Sequence, residues 1–297
     1  MSEHEFSRVA VLKGGVSSER GISLKSGAAI AQGLRDGGYD VTEIDIQSED
    51  FQIPDGIDAV FVALHGRFGE DGGIQRKLVE MKVPFTGSSA ESSRISFDKI
   101  LTRKVLEQHG VPVAPGEVVT TLEGWKTEVP LVVKPPREGS SVGCHLVFDE
   151  ADREGAFADA RRFSDEVLVE TYIPGRELTV GVVNGQVLPV VEIIPESEWY
   201  DFEAKYVTGD TRYVCPAELG AEITTELQTL ALRTFRALGA DTFGRVDFRL
   251  SSENRPYVLE LNAIPGFTAT SLLPKAAEVA GIGFSELCCS IMERAHL

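Results

Sequence analysis

Acidic and amide side chains near the C-terminus alternate with apolar residues in two short segments. In 244–250 (GRVDFRL) polar residues, Asp247 among them, occupy every second position. In 257–262 (YVLELN) the same alternation places Glu260 and Asn262 on one face. Successive side chains of a strand point to opposite faces, so each segment predicts a strand with one polar face.

The polar stretch 251–256 predicts a loop that joins these strands into a hairpin. If the loop closes with Leu250 opposite Tyr257, Asp247 lies opposite Glu260. Two opposed carboxylates repel each other unless a cation lies between them, and oxygen ligands of this kind suit magnesium. The hairpin therefore predicts a metal site.

The same register places Arg245 opposite Asn262, beside the predicted metal. An alternative interpretation is a solvated polar face on which Arg249 relieves the repulsion between the carboxylates. Alternation alone leaves both interpretations open.

A second candidate site follows the apolar run 129–133. Lys134 ends that run, and the glycines and serines of 138–143 (EGSSVG) follow shortly after it. Backbone N–H groups of such a loop can bind phosphate, and Lys134 would add a positive charge. The alternative is an ordinary connection between strands.

The segment 170–177 (ETYIPGRE) also follows an apolar run. It could present carboxylates and backbone groups to a purine and a ribose. By itself it is equally typical of a strand that ends in a turn.

Three regions position these candidates. The first alternates short apolar runs with a helical stretch, which indicates a parallel sheet flanked by helices; the segments are 9–12, 24–34, 41–46 and 59–64. Near 92–97 a helix begins that carries Lys99 and stops at Gly110.

The second region predicts a small α+β unit with strands at 129–133, 144–148 and 166–170 and a helix between the last two. The third predicts strands at 179–183 and 187–194, a helix at 224–238, the hairpin and a final helix. Expected domain boundaries are 1–96, 97–178 and 179–297.

Composition limits the function classes. The net charge of −17 disfavours nucleic acid and anionic membranes as partners. No apolar run approaches the roughly 20 residues of a membrane span, and the polar start at 1–7 does not resemble a signal peptide, so we expect a cytoplasmic protein. The cysteines lack paired metal-ligand spacing, so we expect them to be reduced thiols; they are Cys144, Cys215, Cys288 and Cys289.

Taken together, these motifs resemble the ATP-grasp superfamily and, within it, the D-alanine:D-alanine ligase family. The resemblance runs nearly end to end, through motifs at 11–20, 23–27, 64–72, 133–143, 200–206, 244–248, 259–268 and 271–274. It implies an ATP-grasp fold of α/β and α+β class: an N-terminal Rossmann-like parallel-sheet domain, a small central α+β domain and a C-terminal α+β domain with the metal site.

The resemblance also implies an activity. A member of this family joins two D-alanines through an acyl phosphate, using ATP and two magnesium ions, with manganese as a possible substitute, for peptidoglycan precursor synthesis. It implies a homodimer as well.

The family's site residues map onto matching positions here. The resemblance implies metal binding by Asp247, Glu260 and Asn262, and nucleotide binding by Lys99, Lys134, Ser140, Ser141, Glu170, Glu177 and Lys205, with 140–142 closing as a lid. It implies an oxyanion site formed by Arg245 and the backbone N–H of Gly266.

For the substrates, the resemblance implies that Glu19 and His65 bind the first D-alanine and that Ser271 and Lys205 bind the second. Glu19, Ser140 and Tyr206 would form a hydrogen-bonded set that closes the lid. Lys205 and Tyr206 favour a dipeptide over a D-lactate ester.

Each of these residues also has a purely structural interpretation. His65 after an apolar strand is typical of a buried histidine, Glu19 of an acid in the first turn of a helix, and Tyr206 of loop packing. The chain departs from the family pattern at Gly21, Ala263 and Phe267, and none of these changes removes a group assigned above.

Three alternative functions stay open. Another ATP-grasp ligase would use the same core on a different acid. A nicotinamide-dependent oxidoreductase is suggested by Gly14-Gly15 after the first strand and by Glu43 or Asp45 ending the second, although the G-x-G-x-x-G spacing is absent. A nonenzymatic nucleotide-binding regulator would retain the ATP site, but the intact candidate residues disfavour it.

Overall fold

The structure, a computed structural model, describes residues 5–195, 211–268 and 270–297. Its first part is the predicted parallel sheet, in the order β2-β1-β3. Its elements are β1 (Arg8–Gly14), α1 (Arg20–Asp36), β2 (Asp40–Ile46), β3 (Ala59–Val62) and α2 (Gly73–Met81). Because β1 and β3 are paired in parallel, the loops that follow them leave the sheet at the same edge.

The predicted helix around Lys99 is two helices, α3 (Ala90–Phe97) and α4 (Lys99–Gln108). Asp98 separates them because its backbone is extended, with φ −90° and ψ 105°. Its side chain accepts hydrogen bonds from the N–H groups of Ile100 and Leu101, which begins the second helix at Lys99. Gly110, at φ 62°, follows the end of α4.

The central part is an antiparallel sheet in the order β4-β7-β5-β6 with one helix packed on it. Its elements are β4 (Gly116–Val119), β5 (Leu131–Lys134), β6 (His145–Val147), α5 (Arg153–Ala160) and β7 (Val167–Thr171). Leu131, Val133 and Phe157 belong to its own buried core. The predicted small α+β unit is therefore present.

The last part is an antiparallel sheet in the order β10-β9-β8-β11-β12. Its elements are β8 (Gly175–Val183), β9 (Gln186–Ile194), β10 (Arg212–Val214), α6 (Ala221–Ala237), β11 (Phe243–Ser251), β12 (Pro256–Asn262), α7 (Leu272–Val279) and α8 (Phe284–Met292). The predicted hairpin is the pair β11 and β12.

One buried cluster joins the first and last parts. It includes Val9 and Phe61 from the N-terminal sheet together with Leu273 and Ile291 from the C-terminal helices. The cysteines are free thiols, as predicted, and burial raises the pKa of Cys288. None of the described helices combines the length and apolar character that crossing a bilayer requires.

Candidate active site

The hairpin register at the site is as predicted, although the turn is not. Leu250 pairs with Pro256 rather than with Tyr257. A β-bulge at Leu259 follows, between the pairs Phe248–Val258 and Asp247–Glu260, and it compensates for the one-residue difference. Asp247 therefore lies opposite Glu260, and Arg245 lies opposite Asn262.

Asp247 is buried and held from two sides. Arg245 donates Nε to Oδ1 and a terminal nitrogen to Oδ2, both at 2.8 Å. Thr179 of β8, which is paired with Asp247, donates its hydroxyl to Oδ1 at 2.5 Å. The sequence did not indicate Thr179, because only the pairing of β8 with β11 brings it to the carboxylate.

Glu260 and Asn262 complete the set of oxygen donors. Glu260 Oε2 lies 3.4 Å from Lys99 Nζ. Asn262 Oδ1 is buried and has no hydrogen-bond partner among the described residues. A buried amide oxygen without a partner beside two carboxylates fits a hard cation. The candidate ligands are thus two carboxylates and one amide, and the described residues hold no cluster of three His, Cys, Asp or Glu suited to a metal.

Two cavities meet at this hairpin. The inter-sheet cavity lies between the central and C-terminal sheets, and its lining includes Lys134, Ser141, Glu170, Glu177 and Asp247. The α1 cavity lies beside the start of α1, and its lining includes Glu19, His65, Asn262, Gly266 and Ser271. Residues that line both cavities include Lys99, Ser140, Arg245 and Glu260.

The floor of the inter-sheet cavity is an ion-pair network. Lys134 Nζ lies 2.5 Å from Glu170 Oε2, and Arg103 donates to Glu170 Oε1 at 3.0 Å. Burial lowers the pKa of Lys134, but the charge and hydrogen bond of Glu170 together with the charges of Cys144 and Glu260 outweigh burial, and the pKa lies above its ordinary value. Lys134 therefore keeps its charge. Arg103 was not predicted, because its contact with Glu170 spans 67 residues.

Arg249 does not relieve repulsion at the metal site. Its Nε donates to the carbonyl of Ile173 at 3.1 Å, and a terminal nitrogen lies 3.4 Å from Glu177 Oε2. Another terminal nitrogen donates to the Tyr172 hydroxyl at 3.2 Å. Arg249 thus holds the turn after β7 against β11, which orients Glu177 toward the inter-sheet cavity.

The glycine and serine loop bridges the two cavities. Ser140 donates its hydroxyl to Glu19 Oε1 at 2.5 Å, across 121 residues of sequence. Ser140 and Ser141 have φ of 51° and 61°, in the left-handed region that L residues rarely adopt. Two strained serines that close onto α1 are consistent with a lid.

His65 and the loop before α7 are linked through a serine that the sequence did not single out. His65 is buried, and its Nε2 lies 3.4 Å from Ser26 Oγ. The same oxygen accepts a hydrogen bond from the backbone N–H of Phe267 at 3.1 Å. The loop is further fixed because Thr268 donates its N–H to Ser271 Oγ at 2.8 Å. Lys205 and Tyr206 lie outside the described residues.

Comparison with known proteins supplies the family. Residues 100–293 match the family model for the D-ala D-ala ligase C-terminus. The chain belongs to the D-alanine–D-alanine ligase family. It is 43% identical over 289 residues to the D-alanine–D-alanine ligase of Methylacidiphilum infernorum, covering 97% of this chain and 95% of the relative.

Solved ligase structures share the fold. The crystal structure of D-alanine–D-alanine ligase from Bacillus anthracis superposes with a TM-score of 0.87 at 34% identity, covering 97% of this chain and 96% of that one. The same enzyme complexed with ATP gives a TM-score of 0.86 at 34% identity, with the same coverage. The ATP-grasp fold and the ligase class expected from the sequence are confirmed.

The acids that suggested an oxidoreductase are engaged elsewhere. Arg20 lies 2.7 Å from Asp45 Oδ2, and this contact holds the pKa of Asp45 below its ordinary value. Glu43 forms ion pairs with Lys13 and Arg35. In this D-alanine–D-alanine ligase family member, both acids are paired with cations, and neither lines the inter-sheet cavity or the α1 cavity.

The departures from the family pattern are accommodated by the fold. A Cβ at Gly21 would meet nothing within 4 Å, so this position tolerates many side chains. Phe267 is buried and packs with its ring centroid 5.8 Å from those of Phe61 and Phe243. Ala263 is buried and lines the α1 cavity.

Proposed function

We propose that this ligase joins two D-alanines into D-alanyl-D-alanine as one ATP is converted to ADP and phosphate. The observation that carries the proposal is the meeting of the two cavities at Lys99, Ser140, Arg245 and Glu260. A phosphate donor in one cavity and an amino acid in the other would react at this junction. Charged and strained residues concentrate there, which supports a reacting centre.

The first step transfers a phosphoryl group. An oxygen of the first D-alanine carboxylate forms a bond to the terminal phosphorus as the bond to ADP breaks, which gives an acyl phosphate. Lys99 and Lys134 lie along the inter-sheet cavity, where their charges would neutralise the phosphates. Glu170 and Glu177 would orient the base and ribose.

Asp247, Glu260 and Asn262 would hold two magnesium ions, for which manganese could substitute. When bound, these ions would neutralise the charge of the phosphates. The oxygen donor set supports this assignment, as does Asn262 Oδ1, which has no hydrogen-bond partner in the described part of the chain. Thr179 and Arg245 orient Asp247 for the same purpose.

In the second step the amine of the second D-alanine attacks the acyl carbon, and phosphate leaves as the amide forms. Arg245 lines both cavities and Gly266 lines the α1 cavity, so the guanidinium and the backbone N–H are proposed to stabilise the oxyanion. Glu19 and His65 would hold the first substrate, and Ser271 the second. Lys205 and Tyr206 are proposed to complete the second substrate site and to favour a dipeptide.

The product class suggests a role in peptidoglycan precursor synthesis. We propose the cytoplasm as the location and a homodimer as the assembly, both by analogy with the family. Sedimentation of the purified protein tests the assembly: a mass near 32.3 kDa would contradict the dimer.

The proposal is tested by phosphate release with ATP and magnesium, adding D-alanine, L-alanine or D-lactate separately. We expect release with D-alanine alone, and D-alanyl-D-alanine as the product by mass spectrometry. Release that does not depend on D-alanine would contradict the proposed substrate and would favour another ATP-grasp ligase.

A further inference from the structure

The segment that precedes the lid is joined to the start of α4 by three contacts. Lys99 donates its backbone N–H to the carbonyl of Pro136 at 2.9 Å and its Nζ to the carbonyl of Glu138 at 2.7 Å. Between these carbonyls, Arg137 donates Nε to Asp98 Oδ2 at 2.6 Å. The root of the lid is therefore attached to the two residues that begin the helix.

Asp98 uses its two oxygens for different purposes. Oδ1 accepts hydrogen bonds from the N–H groups of Ile100 at 3.0 Å and Leu101 at 3.1 Å, which caps α4. Oδ2 faces Arg137. Asp98 is 5% exposed, and a buried carboxylate without a cationic partner is costly. Among the described residues, Asp98 forms one ion pair, and its partner is Arg137 of the lid root.

Arg137 reaches Asp98 from a more exposed position. Its side chain is 53% exposed, and its outer nitrogen lies 3.3 Å from Glu166 Oε2. Glu166 is itself 46% exposed, so this outer contact contributes little. The inner contact with Asp98 is the one that fixes the lid root.

The lid needs such an anchor because its tip is strained. Ser140 and Ser141 adopt left-handed backbone conformations while Ser140 reaches Glu19. Strained conformations persist only where surrounding contacts hold them. Asp98 and Arg137 line neither the inter-sheet cavity nor the α1 cavity, so they act on the lid and not on the reactants.

We propose that the Asp98–Arg137 ion pair is a positioning pair that keeps the lid closed during the lifetime of the acyl phosphate. The inference rests on the proposed ligase reaction. In that reaction the amine nitrogen forms a bond to the acyl carbon, the bond from that carbon to the phosphate oxygen breaks, and phosphate leaves. With the lid open, water supplies the attacking oxygen instead, and the products are D-alanine and phosphate. The pair thus sets the yield of dipeptide per ATP.

Two substitutions separate the ion pair from the helix cap. Asp98→Asn keeps an oxygen that can cap α4, since Asn and Asp are similarly good caps, but it removes the charge that faces Arg137. Arg137→Gln removes the other partner and leaves Asp98 in place as the cap. Glu166→Gln is the matched control, because it removes only the outer contact of Arg137.

The experiment measures ADP and D-alanyl-D-alanine in the same reaction, with saturating ATP and D-alanine. We expect the wild type and Glu166→Gln to form one ADP per dipeptide. Both Asp98→Asn and Arg137→Gln should form about five ADP per dipeptide, the fold-change expected when one hydrogen bond at a half-exposed site is lost. KM for D-alanine in the first site should stay unchanged, because neither residue lines the α1 cavity. The double variant should resemble each single variant.

Thermal unfolding of each variant is measured alongside the assay. If Asp98→Asn fails to fold, Arg137→Gln still tests the role of the ion pair. One ADP per dipeptide in Arg137→Gln would overturn the inference, as would equal uncoupling in Glu166→Gln. A wild type that forms no dipeptide would instead overturn the proposed function, together with the inference that rests on it.

Discussion

At the scale of single residues, Asp247 connects the two halves of the site. It lines the inter-sheet cavity, and it is held by Arg245, which lines both cavities. Strand alternation in the sequence was enough to place Asp247, Glu260 and Asn262 on one face. The contact between Arg245 and Asp247 was not predicted, because alternation places both side chains on one face but does not show whether one leans along the strand to reach the other.

Removing either carboxylate should abolish magnesium-dependent turnover. For Asp247→Asn and Glu260→Gln we expect phosphate release to fall about a hundredfold or more, because charge stabilisation at the reacting phosphate is lost. The assay is phosphate release over a magnesium titration, with thermal unfolding to check the fold. Asp241→Asn changes an acid that lines neither cavity and serves as the control. Near-normal rates in both variants would refute the metal role.

Thr179 should matter although nothing in the sequence singled it out. Thr179→Val keeps the shape but removes the donor to Asp247 Oδ1. Residues that orient metal ligands typically contribute about 10- to 100-fold to metal affinity or activity, so the magnesium requirement should rise by that factor. Thr179→Ser should restore most of the loss. An unchanged magnesium dependence in Thr179→Val would show that Asp247 needs no such support.

At the scale of elements, the hairpin shows what sequence patterns can predict. The alternation gave the strands and the facing pairs, yet the turn closes one residue earlier than expected. The bulge at Leu259 restores the register, and no local pattern distinguishes a bulged leucine from a paired one. The break between α3 and α4 at Asp98 was missed for a similar reason. An aspartate within a segment of helical periodicity does not by itself indicate that a new helix begins after it.

The loop between β12 and α7 should tolerate no side chain at Gly266. A Cβ there would lie 2.9 Å from Ser271 Oγ, which already accepts the N–H of Thr268. Gly266→Ala should therefore displace the loop and lower kcat about a hundredfold, the effect expected from misplacing a reacting group. Gly220→Ala is the matched control, because a Cβ there meets nothing within 4 Å. Equal kcat values for the two variants would contradict the proposed role of this loop.

At the scale of the whole molecule, the N-terminal sheet and the C-terminal helices share one core. Helices α1 and α8 pack closely at Gly33 of α1. The atoms nearest to a Cβ placed at Gly33 belong to Phe284 and Cys288 of α8. The sequence indicated separate regions at 1–96 and 179–297, and those boundaries stay a prediction. Contacts between positions more than 200 residues apart leave no local pattern, so the shared core was not visible in the sequence.

Removing α8 should unfold more than the C-terminus. A chain that ends at residue 283 loses the buried side chains of Leu287, Cys288, Ile291 and Met292. Each large apolar side chain contributes about 1.5–3 kcal/mol on burial, so the sum approaches the stability of a whole domain, about 5–15 kcal/mol. We expect loss of the cooperative thermal transition by circular dichroism. Removing only Leu297, which is 63% exposed, is the control. A sharp transition near the wild-type temperature would contradict the shared core.

We propose that the D-alanine carboxylate is activated by phosphorylation at the junction of the two cavities. Isotope transfer can detect this step: D-alanine labelled with ¹⁸O in its carboxylate is incubated with ATP and magnesium, and the released phosphate is analysed by mass spectrometry. The acyl phosphate route predicts one labelled oxygen in each phosphate, because the bond between the acyl carbon and that oxygen breaks in the second step. Phosphate without label, formed alongside the dipeptide, would contradict the account.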